Sequence, residues 1–237
     1  TTTLISSAIA DLNTTINNNT FTNLNITSTG SVTFISNSIL VSATGSQTIQ
    51  ANSIVTGFNQ GGAGGTITFC TSSSSSTAGA NILHRNNNFS NITVTGATTI
   101  AGWASSDGGT ANKTYQTNTF SNITGGTGSI TIMSINFGGG AGGNGNSIQS
   151  NTISNITGQG AITGISVGSS ATVSSVLSNT LTNLTSTGTG GTVVGIVLGS
   201  PTSHCFSNTI GTLASSGAAS VVTGISCSAG TLSNIYK

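Results

Sequence analysis

The sequence carries almost no charge. Among its 237 residues are three Lys or Arg and two Asp, with no Glu, so that 2% of the chain is charged. An ordinary soluble domain carries roughly 25%. Three cationic residues cannot form the basic face that binding to nucleic acid or to an anionic membrane surface requires. We therefore expect no nucleic-acid partner. The charged residues are Asp11, Arg85, Asp107, Lys113 and Lys237.

Long apolar runs and helix signals are also missing. No run of about 18 apolar residues occurs, so we expect no membrane span. No stretch combines helical spacing of apolar residues with capping residues at its ends. The chain begins at Thr1 and not at Met. We interpret it as a secreted, processed chain whose export signal has been removed, and expect an extracellular or cell-surface location.

Cysteine is scarce and shows no metal-binding pattern. The three cysteines are odd in number and have no CxxC or similar spacing, so we predict no metal site and no cofactor. Cys205 and Cys227 stand where other repeats place Val, Ile or Leu, which favours small buried apolar side chains. Cys70 follows Phe69 and is expected to face outward. It is the better candidate for a reactive thiol.

The sequence does contain a repeat. A motif of Asn, Thr, an apolar residue, any residue, Asn and an apolar residue returns along the chain, as in NTFTNL from Asn19 and NTISNI from Asn151. Its occurrences are 28 to 35 residues apart. This period indicates one continuous array over residues 1–237, in which residues 1–18 form a partial first coil. The repeats start near positions 19, 52, 87, 118, 151, 179 and 208.

Each repeat has three short apolar runs separated by Gly, Ser or Asn. In the repeat from Asn151 they are Thr152–Ile156, Ala161–Val167 and Val173–Leu177. Short runs rich in β-branched residues and bounded by turn formers are typical of strands. One repeat cannot bury its apolar face alone, but stacked repeats form a continuous core. The sequence thus predicts an all-β, single-domain parallel β-helix, or β-solenoid, of about seven coils with three short strands per coil.

Stacking the repeats predicts three apolar columns. The first contains Phe21, Ile54, Phe89, Phe120, Ile153, Leu181 and Ile210. The second contains Trp103, Ile135, Ile165, Ile196 and Ile225. The third contains Ile49, Tyr115, Ile148, Val176, Cys205 and Ile235, with Ile16 of the partial coil beneath Ile49.

Asparagine is expected at two corners of every coil. Its amide both donates and accepts, so that stacked Asn side chains can hydrogen-bond from coil to coil. Asn also tolerates the left-handed backbone of a tight bend. One predicted ladder contains Asn19, Asn52, Asn87, Asn118, Asn151, Asn179 and Asn208. The second contains Asn23, Asn91, Asn122, Asn155 and Asn183. Between the strands, Gly57–Gly65, Ser72–Ser76 and Gly138–Gly145 are predicted surface loops, with ligand binding as the alternative.

The N-x-I-x-N-I units resemble the coils of right-handed parallel β-helix proteins of the pectate-lyase type. They are most similar to the Ser/Thr/Asn/Gly-rich repeat proteins exported to bacterial surfaces. The resemblance covers nearly the whole chain and implies the fold. It implies no single activity, because this architecture occurs in lyases, adhesins, phage tailspikes and fibre proteins alike.

The lyases and hydrolases of this fold use clustered acids, which this chain does not offer. Its two acids, Asp11 and Asp107, lie in distant repeats, whereas cooperating carboxylates must lie about 5–10 Å apart. Ca²⁺ prefers six to eight oxygen ligands, several of them carboxylates, and two acids in distant repeats do not provide such a set. His84 and His204 are expected at the surface or at corners, and His204 cannot face the same way as Cys205, its neighbour in a strand. We predict that the chain is not an enzyme.

The function expected from the sequence is structural. Neither end of the repeat array shows a polar cap, and uncapped coils expose unpaired strand edges. Head-to-tail contacts between such ends produce filaments, so the expected partner is a second copy of the chain. The alternative is a fragment of a cell-surface adhesin or a stalk that binds extracellular glycans. Ice binding is disfavoured because outward Thr residues do not recur in one flat column across all coils.

Overall fold

A computed structural model describes residues 1–8, 11–27, 29–61, 64–73, 75–138, 146–168, 173–230 and 232–237. The described chain is a parallel β-solenoid of about seven coils that contains strands and no helix. Each complete coil contributes to three sheets, which we call A, B and C. The predicted fold class is confirmed. In the described part of the chain, no helix is long and apolar enough to cross a membrane.

The strands are numbered β1 to β25 in chain order. Sheet A consists of β1 (Thr2–Ser7), β5 (Val32–Asn37), β9 (Thr66–Ser72), β12 (Thr99–Ser105), β15 (Ile130–Asn136), β18 (Ile162–Gly168), β21 (Thr192–Leu198) and β24 (Val221–Cys227). Sheet B consists of β2 (Asp11–Asn17), β6 (Val41–Gln50), β10 (Asn81–Arg85), β13 (Asn112–Gln116), β16 (Ser147–Gln149), β19 (Ser174–Leu177), β22 (Thr202–Phe206) and β25 (Leu232–Tyr236). Sheet C consists of β3 (Thr20–Thr22), β4 (Asn25–Ile26), β7 (Ser53–Thr56), β8 (Phe58–Gln60), β11 (Asn88–Val94), β14 (Thr119–Thr124), β17 (Thr152–Gly158), β20 (Thr180–Ser186) and β23 (Thr209–Ser215).

Parallel pairing in register places equivalent residues of successive coils directly above one another. The first predicted column is confirmed throughout, from Phe21 to Ile210. The third is confirmed from Ile16 to Ile235, with one additional member. That member is His84, which lies between Ile49 and Tyr115. The apolar columns together form one continuous core.

The second predicted column is wrong at one position. Trp103 is in register with Met133, and Met133 with Ile165, whereas Ile135 aligns with Ser105 and Val167. Met133 and Ile135 are both buried. A shift of two residues along a strand keeps the same face inward, so the apolar pattern alone cannot distinguish the two registers.

Left-handed backbone occurs at both Asn corners, but not in the same way. At the second ladder the Asn residues themselves have φ between 52° and 60°. At the first ladder the residue immediately before each Asn takes this conformation, with φ between 53° and 55°. Those preceding residues are Asn18, Ala51, Asn86, Thr117, Ser150, Ser178 and Ser207. The first-ladder Asn residues are therefore selected for their amide groups and not for their backbone.

The predicted loops are only partly loops. Phe58–Gln60 within the Gly57–Gly65 segment is strand β8, and Phe58 is buried. Ser72 ends β9, and Ser76 is buried, where its Oγ accepts a hydrogen bond from the Val41 N–H at 3.0 Å. Residues 62–63, 74 and 139–145 lie outside the described residues.

Candidate functional site: Asn ladders and a buried polar cluster

The first ladder, called the inner ladder from here on, is an unbroken chain of hydrogen bonds inside the solenoid. Each Nδ2 donates to Oδ1 of the Asn in the next coil over 2.8–3.0 Å. The backbone N–H of each Asn donates to the same Oδ1 over 2.9–3.2 Å. The remaining Nδ2 hydrogen reaches a backbone carbonyl, as from Asn151 to Tyr115 O at 3.0 Å. Each internal Asn thereby satisfies both its donors and its acceptor.

The second ladder, called the outer ladder, lies on the surface and has the opposite direction. Asn122 donates to Asn91 at 3.1 Å, Asn155 to Asn122 at 3.0 Å, and Asn183 to Asn155 at 2.8 Å, each through Nδ2 to Oδ1. These amides are exposed. Because water competes for exposed hydrogen bonds, the outer ladder stabilises the fold less than the inner ladder.

Inside the first coils, polar residues replace part of the core. The inward column that holds Ile135, Val167 and Leu198 also holds Asn37, Ser72 and Ser105 in the preceding coils. All six side chains are buried. The three polar side chains of this column form a polar cluster with neighbouring buried polar side chains. Its members are Asn37, Gln47, Ser72, His84, Ser105, Asp107, Lys113 and Tyr115.

Asp107 is the acid of this cluster and has no exposed surface. Its Oδ2 accepts hydrogen bonds from Ser72 Oγ at 2.7 Å and from Ser105 Oγ at 3.0 Å. The Tyr115 hydroxyl donates to Ser105 Oγ at 2.7 Å and lies 3.3 Å from Oδ2. Burial raises the pKa of Tyr115 well above its usual value, and the nearby Asp107 charge adds to this. Hydrogen bonding offsets the cost of burying the carboxyl group.

Lys113 is the cation of the cluster and is also buried. Its Nζ donates to three backbone carbonyls, those of Gly109 at 2.8 Å, Ala111 at 3.1 Å and Phe137 at 3.0 Å. All three ammonium hydrogens therefore have acceptors. Burial lowers the pKa of Lys113, and the Asp107 charge opposes this shift.

His84 lies in the core, so the prediction of a surface or corner position is wrong. Its ring lies between Trp103 and Tyr115, with centroid distances of 5.0 and 4.8 Å. His84 Nε2 lies 3.2 Å from Gln47 Oε1, and Gln47 Nε2 donates to the Ile39 carbonyl at 3.3 Å. Since Oε1 can only accept, His84 carries its proton on Nε2. Burial lowers the pKa of His84 to about 4, although the Asp107 charge opposes this.

The repeat spacing could have located His84. Its position is 35 residues after Ile49 and 31 before Tyr115, the same intervals that separate Asn52, Asn87 and Asn118. The residue type of His84 favours a surface position, whereas its spacing places it in the apolar column.

The cysteines differ from expectation in two of three cases. Cys70 is buried and in register with Ile35 and Trp103, so it does not face outward. Burial raises its pKa well above the usual value, as does the Asp107 charge, which leaves an unreactive thiol. Cys205 is buried as expected, and burial raises its pKa to about 11. Cys227 is exposed and lies in β24, the last strand of sheet A in the described part of the chain.

An open groove of about 440 Å³ lies beside the polar cluster. Its lining is almost entirely hydroxyl-bearing: Thr71, Ser72, Ser73, Ala104, Ser105, Ser106 and Ser134. Asp107 lies behind Ser72 and Ser105 and has no exposed surface, so it cannot contact a molecule in the groove. Among the described residues, no group of three or more His, Cys, Asp or Glu side chains could hold a metal ion.

Comparison with known proteins gives no relative: no family model matches the chain, and neither does a curated protein or a solved structure.

Proposed function

We propose that this chain is an extracellular structural protein whose β-solenoid stacks end to end with further copies and forms a filament. The observation that supports this proposal is the concentration of exposed apolar side chains on the two outermost described coils. The last coil exposes Val221, Val222, Leu232, Ile235 and Tyr236, each by 47–54%. The first exposes Leu4 by 38% and Leu12 by 51%. In the described part of the chain, Leu40 is the one further large apolar side chain with comparable exposure.

The two outer coils also match in chemistry. If β24 stacks on β1 of the next copy with the register found between coils, Thr223 meets Thr3 and Ile225 meets Ile5. In the same register Gly224, which has open space in front of its Cα, faces Leu4. The column of Ile5 and Ile225 holds Ile, Cys, Trp or Met in every strand of sheet A, so a second copy continues an existing apolar column.

Sheet B continues in the same way, since Ile235 would stack on Ile16 of the next copy. Sheet C differs. Sheets A and B have eight strands each, but the main path of sheet C has seven. Stacked copies thus leave one strand position between β23 and the neighbouring β3. In the proposed filament each copy therefore contributes one strand position fewer to sheet C than to sheets A and B.

The scarcity of charge favours the same contact. Natural sheet edges avoid association by placing charged side chains on edge strands. Neither β1 nor β24 contains a charged residue. The same composition, and the resemblance of the repeats to exported bacterial surface proteins, support a position outside the cell.

Filament formation is tested by negative-stain electron microscopy of the purified chain over a range of concentrations. We expect long fibres as wide as one solenoid. We also expect Cys227, which lies in β24, to lose its reactivity towards a maleimide on assembly, because the next copy covers it. The Val222→Lys variant, with a charge on the stacking surface, should remain as short rods. Thr163→Lys places the same charge on the outward side of the central strand β18 and serves as the matched control.

Short rods at every concentration, with Cys227 fully reactive in each sample, would contradict the filament. Equal assembly of Val222→Lys and Thr163→Lys would contradict stacking through β24. If isolated rods bind immobilised glycans instead, the adhesin or glycan-binding alternative is favoured. The outward Thr column of sheet A is interrupted by Ala101 and Val194, which does not favour ice binding.

A further inference from the structure

The interior of the first coils contains buried polar atoms without hydrogen-bond partners. These include His84 Nδ1, Trp103 Nε1 and both amide atoms of Asn37. All three side chains are at most 1% exposed. Buried polar groups are almost always paired, with protein or with ordered water. An unpaired buried donor or acceptor costs roughly 1–3 kcal/mol. Three such residues in one part of a core therefore require an explanation.

His84 and Trp103 have complementary requirements. Because His84 Nε2 donates its proton to Gln47 Oε1, Nδ1 is unprotonated and can only accept a hydrogen bond. Trp103 Nε1 can only donate. The two rings face each other with their centroids 5.0 Å apart and their planes inclined by 32°, so no direct hydrogen bond joins the two nitrogens.

Neighbouring polar groups do not satisfy these atoms. The Tyr115 ring contacts both His84 and Trp103, but its hydroxyl donates to Ser105 Oγ and lies 3.3 Å from Asp107 Oδ2. Ser72 also donates to Asp107. A bridging group must accept from Trp103, donate to His84 and be small enough for a core. Water has these properties, and buried water in proteins typically makes two to four such hydrogen bonds.

We propose that the polar cluster is a binding site for buried water, in which one molecule accepts from Trp103 Nε1–H and donates to His84 Nδ1. Asn37 lies in the adjacent inward column, two strands from Trp103 in sheet A, and its amide offers a further donor and acceptor to water in the cluster. The bridge holds the His84 tautomer and the Trp103 ring in place. The water bridge does not require stacking between copies, so its test is independent of the test of the proposed filament.

Nuclear magnetic resonance tests the bridge at pH 7.5. The chain has one Trp, so its indole N–H resonance is assigned by composition. We expect a cross-peak between this proton and long-lived bound water in the parent chain. In Trp103→Phe, which keeps an aromatic ring but lacks the donor, the ¹⁵N resonance of His84 Nδ1 should move downfield as its hydrogen bond is lost. Phe120→Leu alters the same aromatic core without a polar atom and should leave this resonance unchanged.

An indole proton without a water cross-peak in the parent chain would overturn the proposal, and this measurement needs no variant. An unchanged His84 Nδ1 resonance in folded Trp103→Phe would overturn the bridge as well. The same downfield shift in Phe120→Leu would attribute the change to general loosening of the core and would also overturn it.

Discussion

Replacing Asn151 by Ala is expected to destabilise the solenoid by about 3–5 kcal/mol, because it leaves several buried groups without partners at roughly 1–3 kcal/mol each. The substitution removes the acceptor of the Asn118 N–H and Nδ2 groups, at 2.9 and 3.0 Å. It also removes the donor to Tyr115 O at 3.0 Å and to Asn179 Oδ1 at 2.9 Å. Because Asn151 is 1% exposed, water cannot readily replace these partners.

The measurement is urea unfolding followed by circular dichroism, with hydrogen exchange added because stacked repeats can open coil by coil. Asn155→Gly is the matched control in the same coil. Asn155 belongs to the exposed outer ladder and has a φ of 56°, which Gly adopts without strain. We expect this control to cost about 1 kcal/mol or less. Equal losses in the two variants would show that burial does not distinguish the ladders.

The sequence predicts the fold well because the signal recurs. Seven copies of one motif determine the period, and the period places Asn19 through Asn208 above one another without reference to any single residue. The strands follow from the same alignment: the run Thr152–Ile156 lies within β17, and Val173–Leu177 overlaps β19. The prediction is wrong where one strand has two inward apolar residues, as β15 does with Met133 and Ile135. The sequence pattern does not show which of the two is in register with Ile165.

The polar cluster could not be predicted in the same way. Ser72, Ser105 and Asn37 replace apolar residues in one inward column, and Ser and Asn also occur often between the strands of this chain. Only the register distinguishes an inward Ser from an outward one. The burial of Asp107 and Lys113 has no sequence signal, because their partners include Ser72 of the preceding coil and the backbone carbonyl of Phe137.

Stability is expected to fall by about 3 kcal/mol as the pH is lowered from 6.5 to 4, through His84 alone. Burial places the pKa of folded His84 near 4, whereas in the unfolded chain it is 6.5. Between these values the unfolded state binds a proton that the folded state does not, so acid favours unfolding. The contribution is fully present above pH 6.5 and is lost on the way to pH 4. One pKa unit corresponds to about 1.4 kcal/mol, which gives this magnitude.

This chain is well suited to the measurement, because it has two Asp, no Glu and thus little carboxylate titration to obscure the histidine. Urea midpoints at pH 7, 6, 5 and 4 are compared for the parent, His84→Phe and His204→Gln. The Phe ring keeps the contacts with Trp103 and Tyr115 but does not titrate, so the pH-dependent loss should disappear even if the variant is less stable throughout. His204 is not fully buried, and its replacement should leave the loss intact. A loss of the same size in His84→Phe would show that another group senses the acid.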